Sequence, residues 1–167
     1  HLKGLSCFSP TPNTLHHYLL SDGVPFIGGK KVALCDEAGW LYFGGKQGLY
    51  YFHPDSLRDN PVPPQLVITQ LSVDGEPLVI DSNGPLRQSL TVAQQITLAH
   101  TQNDLSIRYA GLHFQNPEQN HYRVWLENYD EDWREVGTRT EATYTNLDPG
   151  DYVFHFRAAN SDGVWSE

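Results

Sequence analysis

Two short stretches near the end of the chain, 122–126 and 152–158, alternate apolar and polar side chains with a period of two. They put the tightest limit on what it can fold into. In the first, Tyr122, Val124 and Leu126 fall on one side and Arg123 and Trp125 on the other; in the second, Tyr152, Phe154, Phe156 and Ala158 oppose Val153, His155 and Arg157. That period belongs to extended strands with one face in a core, the pattern of antiparallel sheets rather than of buried parallel ones. Leu147, Asp148, Pro149, Gly150 and Asp151 lead into the second strand, so a turn pair stands just before its opening Tyr152. A sheet with one apolar face needs a second layer to cover it.

The chain upstream has the same grain. Residues 66–73 read as a first strand, Asp74 and Gly75 as a two-residue hairpin turn, and 76–80 as the returning strand. A polar loop follows over 82–92, then short strands at 96–98 and 105–109, the latter aiming Leu105, Ile107 and Tyr109 at the core. Strands this short, with turns this regular, predict an all-β fold, an immunoglobulin-like sandwich in which the Tyr152 hydroxyl bonds back to nearby backbone. Composition agrees, because 12% aromatic residues with 14 Gly and 11 Pro suit strands and turns. No amphipathic helix of useful length is visible.

Residues 1–60 read as a different unit. Apolar alternation at 4–8, 15–20, 32–35, 40–45 and 48–52 is broken by Pro-, Gly- and Asp-bearing turns. The stretch 3–10 resembles 47–54, an internal echo at a spacing suited to propeller blades. One such repeat cannot bury both of its own faces, so the segment reads as the tail of a larger β-propeller. Residues 61–65, rich in Pro, read as a stiff linker to the sandwich at 66–167.

The net charge of −9, with 11 Lys and Arg spread along the chain, argues against nucleic acid, whose affinity rests on neutralised phosphates. No apolar run approaches membrane-span length, and no signal-peptide pattern opens the chain. The sequence starts at His1 and stops at Glu167 just after Ser161, Asp162 and Gly163, the turn into a last strand. It therefore reads as a piece of a longer protein whose sandwich lacks that strand, leaving the edge from Tyr152 to Asn160 either disordered at its end or completed by a strand from another copy. Cys7 and Cys35 read as small buried strand residues rather than a disulfide pair, and neither has metal-site spacing.

Candidate chemistry is sparse. His16 and His17 are adjacent on a strand and point to opposite faces. His113, His121 and His155 have no carboxylate at ligand spacing. The acidic run 127–132 lacks the glycine and bidentate Glu of a calcium loop and reads as a solvated loop. Gly44, Gly45 and Gly48 precede no helix and carry no phosphate-loop Lys. No nucleophile and base constellation can be assembled, so no catalytic residue, metal or cofactor is expected. Trp40 and Trp125 remain as candidate ligand or interface aromatics, Trp125 because alternation puts it opposite the apolar face of its strand.

Tyr122, Tyr129, Trp133, Tyr144, Leu147, Pro149, Gly150, Tyr152 and Trp165, closing in Asp162, Gly163, Val164, Trp165 and Ser166, resemble the triple-tyrosine (Y_Y_Y) domain, a fibronectin-III-like module. The phrase 39–54 resembles the last blade of the two-component-regulator propellers that precede it. The resemblance implies a membrane-proximal, periplasmic sensor segment of a histidine kinase or hybrid two-component protein, without catalysis of its own. It implies pairing with a second copy, an oligosaccharide ligand held mainly elsewhere, and a following membrane helix. An accessory binding or spacer module of a secreted carbohydrate-active protein is the rival reading.

Overall fold

The computed structural model describes residues 4–9, 13–19, 33–45, 48–56, 60–114 and 116–167. The chain divides into two compact units, His1–Asp59 and Asn60–Glu167. Leu20, Val32, Lys46, Gln47 and Arg58, and the side chains of Leu5 and Cys7, lie outside the described residues.

In the first unit, β1 (Gly4–Ser9) pairs antiparallel with β2 (Thr14–Leu19). A second sheet runs β3 (Ala33–Cys35), β4 (Leu41–Gly45), β5 (Gly48–Phe52), also antiparallel. Register puts Leu34, Tyr42 and Tyr51 on one face of it, where Leu34 and Tyr51 are both 63% exposed. Cys35, expected to be buried, is a free and exposed thiol, because all three residues of β3 lie at the surface.

The second unit is a sandwich of two antiparallel sheets. One has the order β11 (Glu141–Tyr144), β8 (Leu105–Leu112), β6 (Gln65–Val73), β7 (Glu76–Pro77); the other runs β10 (Arg134–Gly137), β9 (His121–Glu127), β12 (Val153–Ala159). The chain changes sheet at β8 to β9, at β10 to β11 and at β11 to β12, so neither sheet forms without the other. Between them Leu71, Ile107, Tyr109, Tyr122, Val124, Leu126, Ala142, Tyr144 and Ala158 make the core. Tyr109 of β8 is its centre, edge-on to Tyr122 of β9 at 5.3 Å and within 5.9 and 5.2 Å of Phe154 and Phe156 of β12. Each fully buried aliphatic contributes roughly 1.5–3 kcal/mol, so this layer outweighs the polar contacts around it.

Asp74 and Gly75 take positive φ of 52° and 84°, the two-residue turn that matches strand twist, and they join β6 to β7. The returning strand, expected over 76–80, is shorter and ends at Pro77, with one further backbone bond from Leu78 N to Leu71 O at 2.8 Å. The strand expected at 96–98 is absent: 78–104 runs without regular structure. It still covers the core with Leu78, Leu90 and Ile96. Apolar spacing there reports contact with the sandwich and not a ladder. The Pro-rich stretch 61–65 lies within the second unit, with Pro64 buried and Gln65 already in β6.

At the far end Ser161, Asp162 and Gly163 do form a turn, with Gly163 at φ 81°. The chain then returns along β12: Trp165 bridges Ala159, and Ser166 N donates to Ala158 O at 2.8 Å.

Candidate interaction surface

The face of β9 turned from the core carries Arg123, Trp125 and Glu127, as its period requires. Register sets His155 of β12 opposite Trp125, and Arg157 opposite Arg123; on the other side Glu135 of β10 stands opposite Arg123. Trp133 and Trp165 join this face from the loops. His155 stacks on Trp125 with ring centroids 4.9 Å apart and planes 21° from parallel. Trp133 lies 6.0 Å from Trp125, and the Arg157 guanidinium stands 5.1 Å from the Trp133 ring. Arg123 sits 4.3 Å over Trp165 and forms an ion pair with Glu135.

Every indole of this face therefore has an imidazole or guanidinium over it, each cation contact stabilising by about 0.5–1 kcal/mol at such half-exposed sites. What the surface presents outward is a row of ring edges and charged groups. The carboxylate near a histidine, not visible by spacing along the chain, comes from the neighbouring strand: Glu127 Oε2 is 3.4 Å from His155 Nε2. Among the described residues no group of three His, Cys, Asp or Glu could hold a metal ion.

The acidic run behind this face is not wholly solvated. Asp130 keeps only 7% of its side chain exposed; Oδ2 accepts from Leu126 N at 2.8 Å, and Oδ1 from Arg134 Nε at 3.0 Å. Trp125 Nε1 donates to Asp130 O at 3.1 Å, so the loop fixes the indole from below. The signal for this was the spacing Asp130 to Arg134, four residues apart across a tight turn. Arg134 also covers the Tyr144 ring at 5.2 Å. Burial pushes the Tyr144 phenol up to about 12, and that of Tyr109 likewise.

The spaced aromatics divide between core and rim. Tyr122 and Tyr144 are buried at 3% and 1%, and the Tyr122 hydroxyl accepts from Gly111 N at 3.1 Å. Tyr129 is half exposed and edge-on to Tyr144 at 5.4 Å. Leu147 packs on the core, and Gly150 lies against the Tyr152 ring, next to exposed Pro149. The Tyr152 hydroxyl donates to Asp148 O at 2.8 Å, closing a tyrosine corner whose ring is half buried.

In the first unit, Trp40 is 38% exposed and lies 5.7 Å from both Tyr51 and His53. Asp36 anchors its turn, accepting from Trp40 N at 2.9 Å and from the Tyr42 hydroxyl at 3.0 Å. The Trp40 N–H first, then the Tyr42 hydroxyl, holds the Asp36 carboxyl below the usual carboxylate range against the opposing effect of burial. An open cleft of ≈ 430 Å³ within 84–97 is lined by Leu86, Arg87, Gln88, Gln95 and Thr97 among others, with no carboxylate.

A histidine kinase, P4, of Formosa agariphila is 32% identical over 128 residues, which are 76% of this chain and 9% of that protein. The extracellular domain of BT3049 from B. thetaiotaomicron, assigned as a hybrid two-component system, superposes with a TM-score of 0.71 at 25% identity, over 99% of this chain and 22% of that one. That of BT4673 from the same organism shares the fold, with a TM-score of 0.56 at 21% identity over 99% of this chain and 22% of that one. The chain thus spans a small part of the relatives it matches. Residues 113–167 match the model of the Y_Y_Y domain. This matched stretch holds the tyrosine corner and the ring-and-cation face.

Proposed function

We propose that this chain is the membrane-proximal, extracytoplasmic sensor segment of a two-component signalling protein. The observation that carries the reading is the likeness to the BT3049 extracellular domain, which runs through both units and not the Y_Y_Y domain alone. In this reading the first unit is the last blade of a propeller, whose exposed apolar faces belong against neighbouring blades. The second unit is a fibronectin-III-like sandwich. Ligand, an oligosaccharide, binds mainly in the propeller; the sandwich pairs with a second copy and shifts between two arrangements, biasing a following membrane helix. Catalysis belongs to a kinase elsewhere in the parent, and the segment lies in the periplasm.

The test uses the full-length parent in membrane vesicles, with kinase autophosphorylation followed against a panel of neutral and acidic oligosaccharides. The expected result is a response to at least one glycan, lost when residues 66–167 are exchanged for an unrelated sandwich. A response that survives the exchange sinks the relay role.

A further inference from the structure

Where the chain enters the second unit, the extended strap 60–64 runs beside the hairpin that follows β12, and one side chain joins them. Asn160 is 1% exposed and uses all of its hydrogen-bonding capacity. Its amide Nδ2 donates to Asn60 O at 2.8 Å and to Val62 O at 3.0 Å, both on the strap. Its Oδ1 accepts from Asp162 N at 3.0 Å and Val164 N at 2.9 Å, both in the hairpin. Asp162 replies across the same gap, its Oδ2 accepting from Asn60 N at 2.8 Å.

The surrounding packing leaves the strap little freedom to slide. A Cβ added at Gly111 would come within 2.9 Å of Cβ atoms of both Pro64 and Ala158, so strap and β12 close on the glycine from two sides. Beyond the turn, the Ser166 hydroxyl accepts from Ala158 N at 3.0 Å, and Arg123 covers Trp165. A buried amide with all its bonds made is expensive to disturb, since either half released alone leaves carbonyls or amides unpaired in a closed site.

We infer that Asn160 and Asp162 form a clasp that makes the strap 60–62 and the hairpin 160–166 one mechanical element. A displacement arriving along the strap passes to the hairpin directly, without rearrangement of the sandwich core. This rests on the relay reading above for its use, and on geometry alone for its existence. It also explains the chemistry chosen at the joint: an amide donates twice to one segment and accepts twice from the other with a single planar group.

Asn160→Asp separates the two halves of the clasp. It keeps the oxygen that accepts from Asp162 N and Val164 N, and turns the donor toward the strap into an oxygen facing two carbonyls. Amide hydrogen exchange of this chain is the readout, with Asp162→Ala, at a half-buried side chain, as the milder variant from the hairpin side. The expected result is that Asn160→Asp speeds exchange about tenfold at Asn60 and also at Gly163 and Ser166, whose own bonds the substitution leaves in place. Tyr109 and Leu126 should keep their wild-type rates. Faster exchange in the strap with the hairpin unchanged overturns the clasp, and so does loss of protection throughout the core by both variants. The parent kinase gives a separate answer. Glycan-dependent autophosphorylation lost in both variants supports the clasp as the relay route, whereas a full response in variants whose two segments have loosened together overturns that route and leaves the sensor reading intact.

Discussion

The two units obey the same strand period and end up with opposite surfaces. In the second, alternation delivers a buried layer: Val124 is 0% exposed, Leu126 and Tyr109 1%. In the first, alternation of equal clarity leaves Phe8, Leu15, Leu34, Leu49 and Tyr51 all more than half exposed, and no described residue of that unit is buried. The difference is one of layers rather than of strands. The second unit crosses between two sheets three times and so supplies its own cover, whereas the described strands of the first form sheets with an apolar face open. A period-two pattern therefore states that a face is made to be covered, and is silent about what covers it.

Paired truncations give the largest test of this contrast. Leu126→Ala should cost about 2–5 kcal/mol in urea unfolding of the second unit, from lost transfer energy and the cavity left behind. Leu49→Ala, at 64% exposure, should move the first unit's transition by less than about 0.5 kcal/mol. Equal effects would mean that the exposed face of the first unit is covered in solution.

Alkali should separate the units by charge. The Tyr109 and Tyr144 phenols, held up to about 12 by burial, keep their protons where an unfolded chain, with phenols near 10, has lost them. With more protons on the native state, stability is flat below about pH 10 and falls from there toward pH 12. The slope is at most about 1.4 kcal/mol per pH unit for each phenol. The second unit should therefore show a melting temperature that drops above pH 10, with the phenolate absorbance of Tyr109 and Tyr144 appearing only as it unfolds. Phenolate absorbance from the folded core at pH 10 would remove the premise.

Loss of the corner bond comes next. Tyr152→Phe removes the donor to Asp148 O and should destabilise the second unit by about 0.5–1.5 kcal/mol, with no change in the first. An unchanged denaturant midpoint would show that solvent at this half-buried ring replaces the bond without loss.

How much of this was legible follows from which interactions are local. The β9 and β12 alternation, the turn at Asp74 and Gly75 and the corner at Tyr152 are written in neighbouring residues, and all three are where the sequence placed them. The failures are those in which a partner distant in sequence decides. Cys35 has a strand residue's neighbours and, among the described residues, no layer above it. The 96–98 stretch has Ile96 against the core but, among the described residues, pairs with no strand. Asp130 sits in an acidic run that looks solvated, and is buried because Leu126 N and Arg134 meet it across a turn. On the outer face, Trp125 was singled out by period alone; that His155 and Trp133 would cover it required the register of β9 against β12.

The smallest expected effect has the opposite sign, and it concerns the ring at the centre of the second unit's core. The Tyr109 hydroxyl is closed off from solvent and has no hydrogen-bond partner among the described residues. Tyr122, Phe154 and Phe156 pack on its ring, and burial is the largest cause of its raised phenol pKa, followed by the neighbouring Tyr144 and Tyr122 phenols and opposed by Arg134 and Arg139. An unmade bond in such a place costs the desolvation of the group, about 1–3 kcal/mol, while the oxygen still fills volume that a phenyl ring would leave empty. The two contributions oppose, and the unsatisfied hydroxyl is the larger. Tyr109→Phe should therefore raise the stability of the second unit slightly, by up to about 1 kcal/mol, and should also remove one of the two phenols behind the alkaline loss. Urea unfolding at neutral pH and again near pH 11 checks both parts, because the gain should widen with pH. A variant less stable than wild type at neutral pH would show that the hydroxyl is bonded in solution, by a buried water or a neighbour. The core of this unit would then be a polar network around Tyr109 instead of a dry aromatic layer.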